Sequence, residues 1–168
     1  MNLKRMPDKN KLHYVVATAI IIKNGKFLIA KRAPHEKVSP NEWTVPGGKL
    51  TLDDYIKRPK DTNVHWYNVL EDLTRREVFE EVGLKIKNLR YLTSLVYIRP
   101  DKIPCIIFSY YADWASGRVK LSEDLTKYAW VTLKEAKKYP LIEGIYEELV
   151  MLDKVLQGKK VSKWKKTK

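Results

Sequence analysis

Asn24-Gly25 stands between two apolar runs, Val15–Ile22 before it and Phe27–Ala30 after it. Both turn residues tolerate positive φ, and β-branched residues favour extended backbone, so the folded part must open on a tight β-hairpin. Trp43–Val45 predicts a short strand that ends at Pro46-Gly47-Gly48, where a sharp turn is expected. From Trp66 to Val82, apolar Val69, Leu70, Leu73, Val78 and Val82 recur at helical spacing, and Gly83 falls where a C-cap glycine belongs. Ile86–Ile98 and Ile103–Ala112 read as long strands around a turn at 99–102, and Tyr128–Val131 as a short one. Helices are expected near 133–138 and over 143–156, the second with Ile145, Leu149, Leu152 and Leu156 on one face. This order lacks regular βαβ alternation and predicts an α/β (α+β) chain, a mixed β-sheet flanked by helices.

With 168 residues, 44% of them hydrophobic, the chain suits one core. Its net charge of +13 would by itself suggest a nucleic acid, an anionic membrane or a phosphorylated small molecule. Position narrows that choice: residues 157–168 carry +6 as a Lys-rich tail, and a basic leader over residues 1–13 carries +3. Only +4 is left for the domain at 14–156. The tail is expected to be disordered and solvated, and nucleic-acid binding through it is not favoured. The run Tyr14–Ile22 is too short for the ~20 residues of a membrane span, and no cleavage signal follows it. The single cysteine, Cys105, lies in an apolar run, so a buried strand thiol in a reducing cytoplasm is expected.

The densest chemistry lies at Arg76-Glu77-Val78-Phe79-Glu80-Glu81-Val82-Gly83-Leu84. On a helix, Glu77 lies one turn before Glu80 and Glu81, so three carboxylates share a face and repel one another. A compensating cation relieves this, and clustered hard oxygens suit Mg²⁺, or Mn²⁺, with bridging to phosphates. Arg76 can pair with Glu80 at i+4. The plainer alternative is a solvated acidic helix face.

The stretch 76–84, with Trp43–Lys49 upstream, the opening hairpin ending in Lys31-Arg32, and Trp130-Val131 followed by Leu133–Ala136, resembles the Nudix hydrolase family over residues 14–156. Its signature is a glycine, five residues, a glutamate, seven residues, then Arg-Glu-apolar-x-Glu-Glu-x-Gly-apolar. The second half matches at every specified position; the first does not. Counting from Gly48, the glutamate position falls on Asp54, and fourteen residues are then inserted before Arg76; counting back from Arg76, it falls on Asn68. The resemblance implies a Nudix-type α/β/α sandwich and a Mg²⁺-dependent attack of water on the diphosphate of a nucleoside diphosphate linked to another group, a (d)NTP or modified nucleotide foremost. It implies Glu80, Glu81 and the Gly47 carbonyl as metal ligands, Glu77 as a ligand or base, and Lys49 as orienting the base or touching phosphate. A further carboxylate is expected before the last strand, Glu123 in preference to Asp124. Arg32, Lys49 and Arg76 are the candidate substrate contacts.

The insertion, about residues 55–67, reads either as a lid whose Tyr55, Trp66 or Tyr67 stacks on a base, or as a segment anchored by aromatic packing. His13, His35 and His65 show no ligand spacing. Competing functions are a non-catalytic nucleotide- or RNA-binding module and an RNA-decapping enzyme.

Overall fold

The computed structural model describes residues 8–167; the leader charges Lys4 and Arg5 and the final Lys168 lie outside them. The hairpin forms as expected from β1 (Tyr14–Lys23) and β2 (Lys26–Arg32), with Asn24 and Gly25 at φ 50° and 71°. β3 (Trp43–Thr44), β4 (Gly47–Lys49), β5 (Lys85–Ile98), β6 (Pro104–Ser116) and β7 (Leu125–Val131) complete a seven-stranded sheet. β1 and β6 run parallel, the other pairs antiparallel, so the sheet is mixed.

β1 divides its second edge between two partners. Its end pairs with β2 at Ile22 and Lys23, while Val16, Ala17 and Thr18 pair with β4. The sheet forks there, and β2 carries β3 and β7 on the other prong.

Both faces of β1 are covered, which explains why its run is apolar on both sides but for Thr18. Ala17, Ala19 and Ile21 face α1 (Val69–Val82) and pack with Leu73, Val78 and Val82. Ile20 faces the other way, with Phe27, Ile29 and Trp43, against Leu149 and Leu152 of α3 (Ile145–Leu156). The short α2 (Leu133–Ala136) starts at a capping box in which Thr132 Oγ1 accepts from the Glu135 amide. These are the helices flanking the sheet. No described helix is long and apolar enough to cross a membrane. Cys105 is buried and free, as expected of a strand thiol.

Two local expectations are corrected. α1 begins at Val69 rather than Trp66, because Asn68 takes a left-handed conformation at φ 56° and residues before it bond to the insertion. The Tyr67 amide donates to Asp61, and the Trp66 indole to the Arg58 carbonyl. Pro46-Gly47-Gly48 does not turn sharply; Gly47–Lys49 is a strand, and neither glycine has positive φ.

Residues 157–167 form no helix or strand, and the tail lies back along α3. The Trp164 indole donates to the Gly144 carbonyl, Lys166 pairs with Glu143 at 3.1 Å, and Thr167 donates through its amide and hydroxyl to Glu147.

Candidate active site

Strand β4 and helix α1 face each other across the N-terminal half of β1, and the two glycines of β4 are there to allow close approach. A Cβ on Gly47 would collide with the Ala17 carbonyl and sit 2.6 Å from the Thr18 Cα, parting β4 from β1. A Cβ on Gly48 would fall inside the Glu77 carboxylate. Glycine therefore lets the strand backbone touch both its neighbour strand and the acidic helix.

Glu77, Glu80 and Glu81 do share one side of α1, yet they divide between two partners, Gly47 for Glu81 and Arg76 for the other two. Glu81 reaches β4, where the Gly47 amide donates to its Oε2 at 2.9 Å. Glu77 is 15% exposed and Glu80 56% exposed, and Arg76 joins them, at 2.8 Å and 2.6 Å. Asp54 completes the set: its Oδ1 accepts from the Arg76 guanidinium at 2.8 Å. Of the two positions that counting left open, Asp54 is thus the one the fold returns to the helix, across the whole insertion. Asn68 only precedes α1.

Burial sets the protonation of this group. It pushes Glu81 up to about 7; the Gly47 amide opposes that, Glu77 adds to it, Arg32 opposes and Asp124 adds. Burial likewise raises Glu77, against Arg76 and with Glu80 and Asp54. For Asp54, burial is outweighed by the Thr51 donors and Arg76, which hold its carboxyl below the usual range.

The other expected residues separate clearly. Arg76 spends its guanidinium on three carboxylates, and Arg32 on Glu36 and the Val38 carbonyl. Lys49 has no carboxylate partner among the described residues, and its ammonium lies 5.9 Å from the Tyr14 ring centre. In the loop before β7, Glu123 and Asp124 are both exposed; the charge of Asp124 adds to the rise of Glu81, and Glu123 makes no ion pair among the described residues. Asp124 also sits beside His35 and Glu36, a trio with ligand atoms within 4.8 Å of one another. Glu36 there is already paired with Arg32. Sequence reasoning missed this trio, because His35 and Asp124 meet only through the β2–β7 pairing.

The insertion is fastened rather than loose. Arg58 binds the Asp72 carboxylate and the Tyr67 carbonyl, and the Trp66 ring packs on Tyr55 at 5.3 Å. Tyr67 remains exposed.

The donor chemistry fits a divalent cation. Glu77, Glu80 and Glu81 supply hard oxygens, and half-buried Glu81 meets a single amide donor with a like charge nearby, an arrangement that a cation relieves. Arg76 now holds Glu80 and Glu77 in place.

A family model for the NUDIX domain matches residues 64–151, just over half of the chain. The NAD-capped RNA hydrolase NudC of Chromobacterium violaceum is 25% identical over 135 residues, covering 80% of this chain and 44% of that protein. The chain thus spans less than half the length of that relative. The nucleoside triphosphatase NudI of Escherichia coli is 24% identical over 137 residues, covering 75% of this chain and 86% of that protein. Among solved structures, the MutT NUDIX hydrolase from Burkholderia pseudomallei superposes with a TM-score of 0.66 at 22% identity, covering 83% of this chain and 98% of that one. That likeness concerns the fold.

Proposed function

Since the chain belongs to the NUDIX domain family, we propose that it is a Mg²⁺-dependent pyrophosphohydrolase that cleaves the diphosphate linkage of a nucleoside diphosphate joined to another group. The observation that carries this reading is the contact of β4 with α1. Gly47 and Gly48 bring a backbone with free Lys49 against three glutamates whose like charges call for a cation. Glu80 and Glu81 would hold the ion, with the Gly47 carbonyl and Asp124 alongside. When bound, a divalent cation neutralises diphosphate charge and lowers the pKa of water.

The chain's own groups supply the rest. Glu77, raised by burial yet held by Arg76, is suited to take the proton of the attacking water on its free oxygen. Lys49 meets the diphosphate, and Arg76, kept in place by Asp54, fixes the angle between Glu77 and Glu80. Mn²⁺ would serve the same oxygens.

The test is a panel of (d)NTPs, modified nucleotides and nucleoside diphosphate conjugates with Mg²⁺, the released phosphate or pyrophosphate being measured. Turnover by the wild type that Glu80→Gln abolishes supports the reading. Absence of turnover with every member rejects it. A second reading, hydrolysis at a capped RNA end, is favoured by the likeness to the NudC relative and by the tail lysines. It requires that truncation after Gln157 weaken RNA cleavage while leaving small-nucleotide turnover intact.

A further inference from the structure

β5 is an edge strand that pairs only with β6 among the described residues, so its outer side is open. Ser94–Ile98 run residue for residue against Phe108–Pro104. Just past the strand, the Arg99 amide donates to the Ile103 carbonyl at 3.2 Å. Backbone groups alternate in direction along an antiparallel strand, so Ser94, Val96 and Ile98 turn their N–H and C=O groups outward. From Tyr91 to Ile98 the edge carries no charge and no proline, and Tyr91, Leu95, Val96 and Ile98 are exposed. Such an edge is a template for another strand.

The other half of β5 is basic. Lys85, Lys87 and Arg90 are exposed and enter no ion pair among the described residues. The ladder shifts register between Lys87 and Arg90, where Asn88 takes φ 52° and its side chain donates to Asp113. Beside this half lies a groove of about 390 Å³ between α1 and β5. Phe79, Leu84 and Ile86 give it apolar walls, with Arg75, Arg76 and Lys85 around them. Arg75 is fixed there by donating to the Ile86 carbonyl at 2.9 Å.

Chemistry chooses among the occupants. Alternating outward donors and acceptors match a polypeptide, whereas a phosphate backbone offers acceptors alone. The unpaired cations call for carboxylates, and the groove at their end of the strand takes an apolar side chain. A second copy fits poorly. Paired antiparallel through Ser94–Ile98, its Lys87 and Arg90 would run toward Arg99 and Lys102 of the first, like charge against like.

We propose that the β5 edge binds an extended segment of another protein, apolar where it pairs with Ser94–Ile98 and acidic, around one apolar anchor, where it passes Arg90, Lys87 and Lys85. The segment continues the sheet beyond β5, its carboxylates neutralise the three cations, and its anchor fills the groove beside Phe79. This surface stands apart from the reaction and does not depend on the catalytic reading.

The probe is a fluorescent synthetic peptide of alternating Val and Thr followed by Asp-Glu-Phe-Asp-Glu, its binding read by anisotropy. The same peptide with Lys in place of every acid is the control. The acidic peptide should bind, less tightly as salt rises, and the lysine peptide should not. Val96→Pro removes an outward N–H that takes no part in the β5–β6 ladder, and should weaken binding about tenfold, the size of one hydrogen bond. Lys85→Glu combined with Lys87→Glu should weaken it by a similar factor and admit the lysine peptide. Thermal melts by circular dichroism verify that both variants fold. Absence of binding at millimolar acidic peptide, equal binding of the two peptides, or affinity that neither variant lowers overturns the proposal. A dimer in sedimentation that Val96→Pro dissociates, or a single-stranded RNA oligonucleotide that outcompetes the peptide, assigns the edge to another occupant and overturns it as well.

Discussion

Two glutamates lie against opposite faces of the same sheet, Glu81 half-buried and Glu148 buried, and both are pushed up to about 7. Glu81 lies on the α1 side, Glu148 on the α3 side, where it is 4% exposed. The leading cause is the same, loss of water; the surroundings differ. Glu81 sits in a field: the Gly47 amide bonds to it, Glu77 and Asp124 repel it, and Arg32 attracts it. Glu148 is opposed by the Ser109 hydroxyl, itself 3.4 Å from the Thr18 hydroxyl, and it has no ion-pair partner among the described residues. The lesson is that a raised carboxyl pKa does not by itself mark a site. Convergent charges beside a close-approaching backbone do, whereas a solitary buried acid costs stability.

The sharpest way to break this comparison is to neutralise each acid in turn. Glu81→Gln should lower kcat by about a thousandfold, the scale of removing a preorganised electrostatic group, while Glu148→Gln should leave kcat nearly unchanged. Steady-state assays on the preferred substrate decide it; equal losses from both would erase the distinction. Chelation of divalent ions should silence the wild type without unfolding it, as circular dichroism would verify.

Next in size is the backbone approach. Gly48→Ala should displace Glu77 and cost about a hundredfold in kcat, the scale of an ångström of misplacement. Retained activity would show that the β4–α1 contact is not what organises the glutamates.

Glu148 should show itself in stability. Its folded pKa lies above its unfolded value of about 4.5, so the folded state binds more protons between the two. The cost is therefore absent below about pH 4.5, grows through the interval and is complete above about pH 7. At one pKa unit per 1.36 kcal/mol, it reaches about 3 kcal/mol at most. Glu148→Gln should raise Tm by roughly 5 °C at pH 8 and by little at pH 4.5. Thermal melts across that range test it, and a pH-independent gain would contradict the cause assigned here.

The smallest effect is expected of Asp54→Asn. It loosens Arg76 from one of three carboxylates, and a loss of about tenfold in kcat with little change in melting temperature is expected. A loss as large as that of Glu81→Gln would place Asp54 among the metal-holding groups instead.

Much of this was readable along the chain. The hairpin at Asn24-Gly25, the long strands flanking the 99–102 turn and the acidic helix ending at Gly83 follow from local rules, as does the grouping of Glu77, Glu80 and Glu81 on one side of it. The misread parts all depended on distant neighbours. Gly47 and Gly48 look like a turn in sequence because glycine signals one, yet their role is set by Ala17, Thr18 and Glu77 packed against them. The first turn predicted for α1 went instead to bonds with Asp61 and Arg58.

The sequence by itself determined the element order, the mixed sheet and the gathering of three carboxylates in the 76–84 stretch on one helix face, because periodicity and spacing act within a few turns of chain. Only the tertiary structure decided that Asp54 stands beside Arg76 across twenty-one intervening residues, that Glu81 meets the Gly47 amide, and that Glu148 is buried with no ion-pair partner among the described residues. Those are through-space facts. They depend on which surfaces meet when the sheet closes between its helices, and no local pattern of residues carries that information.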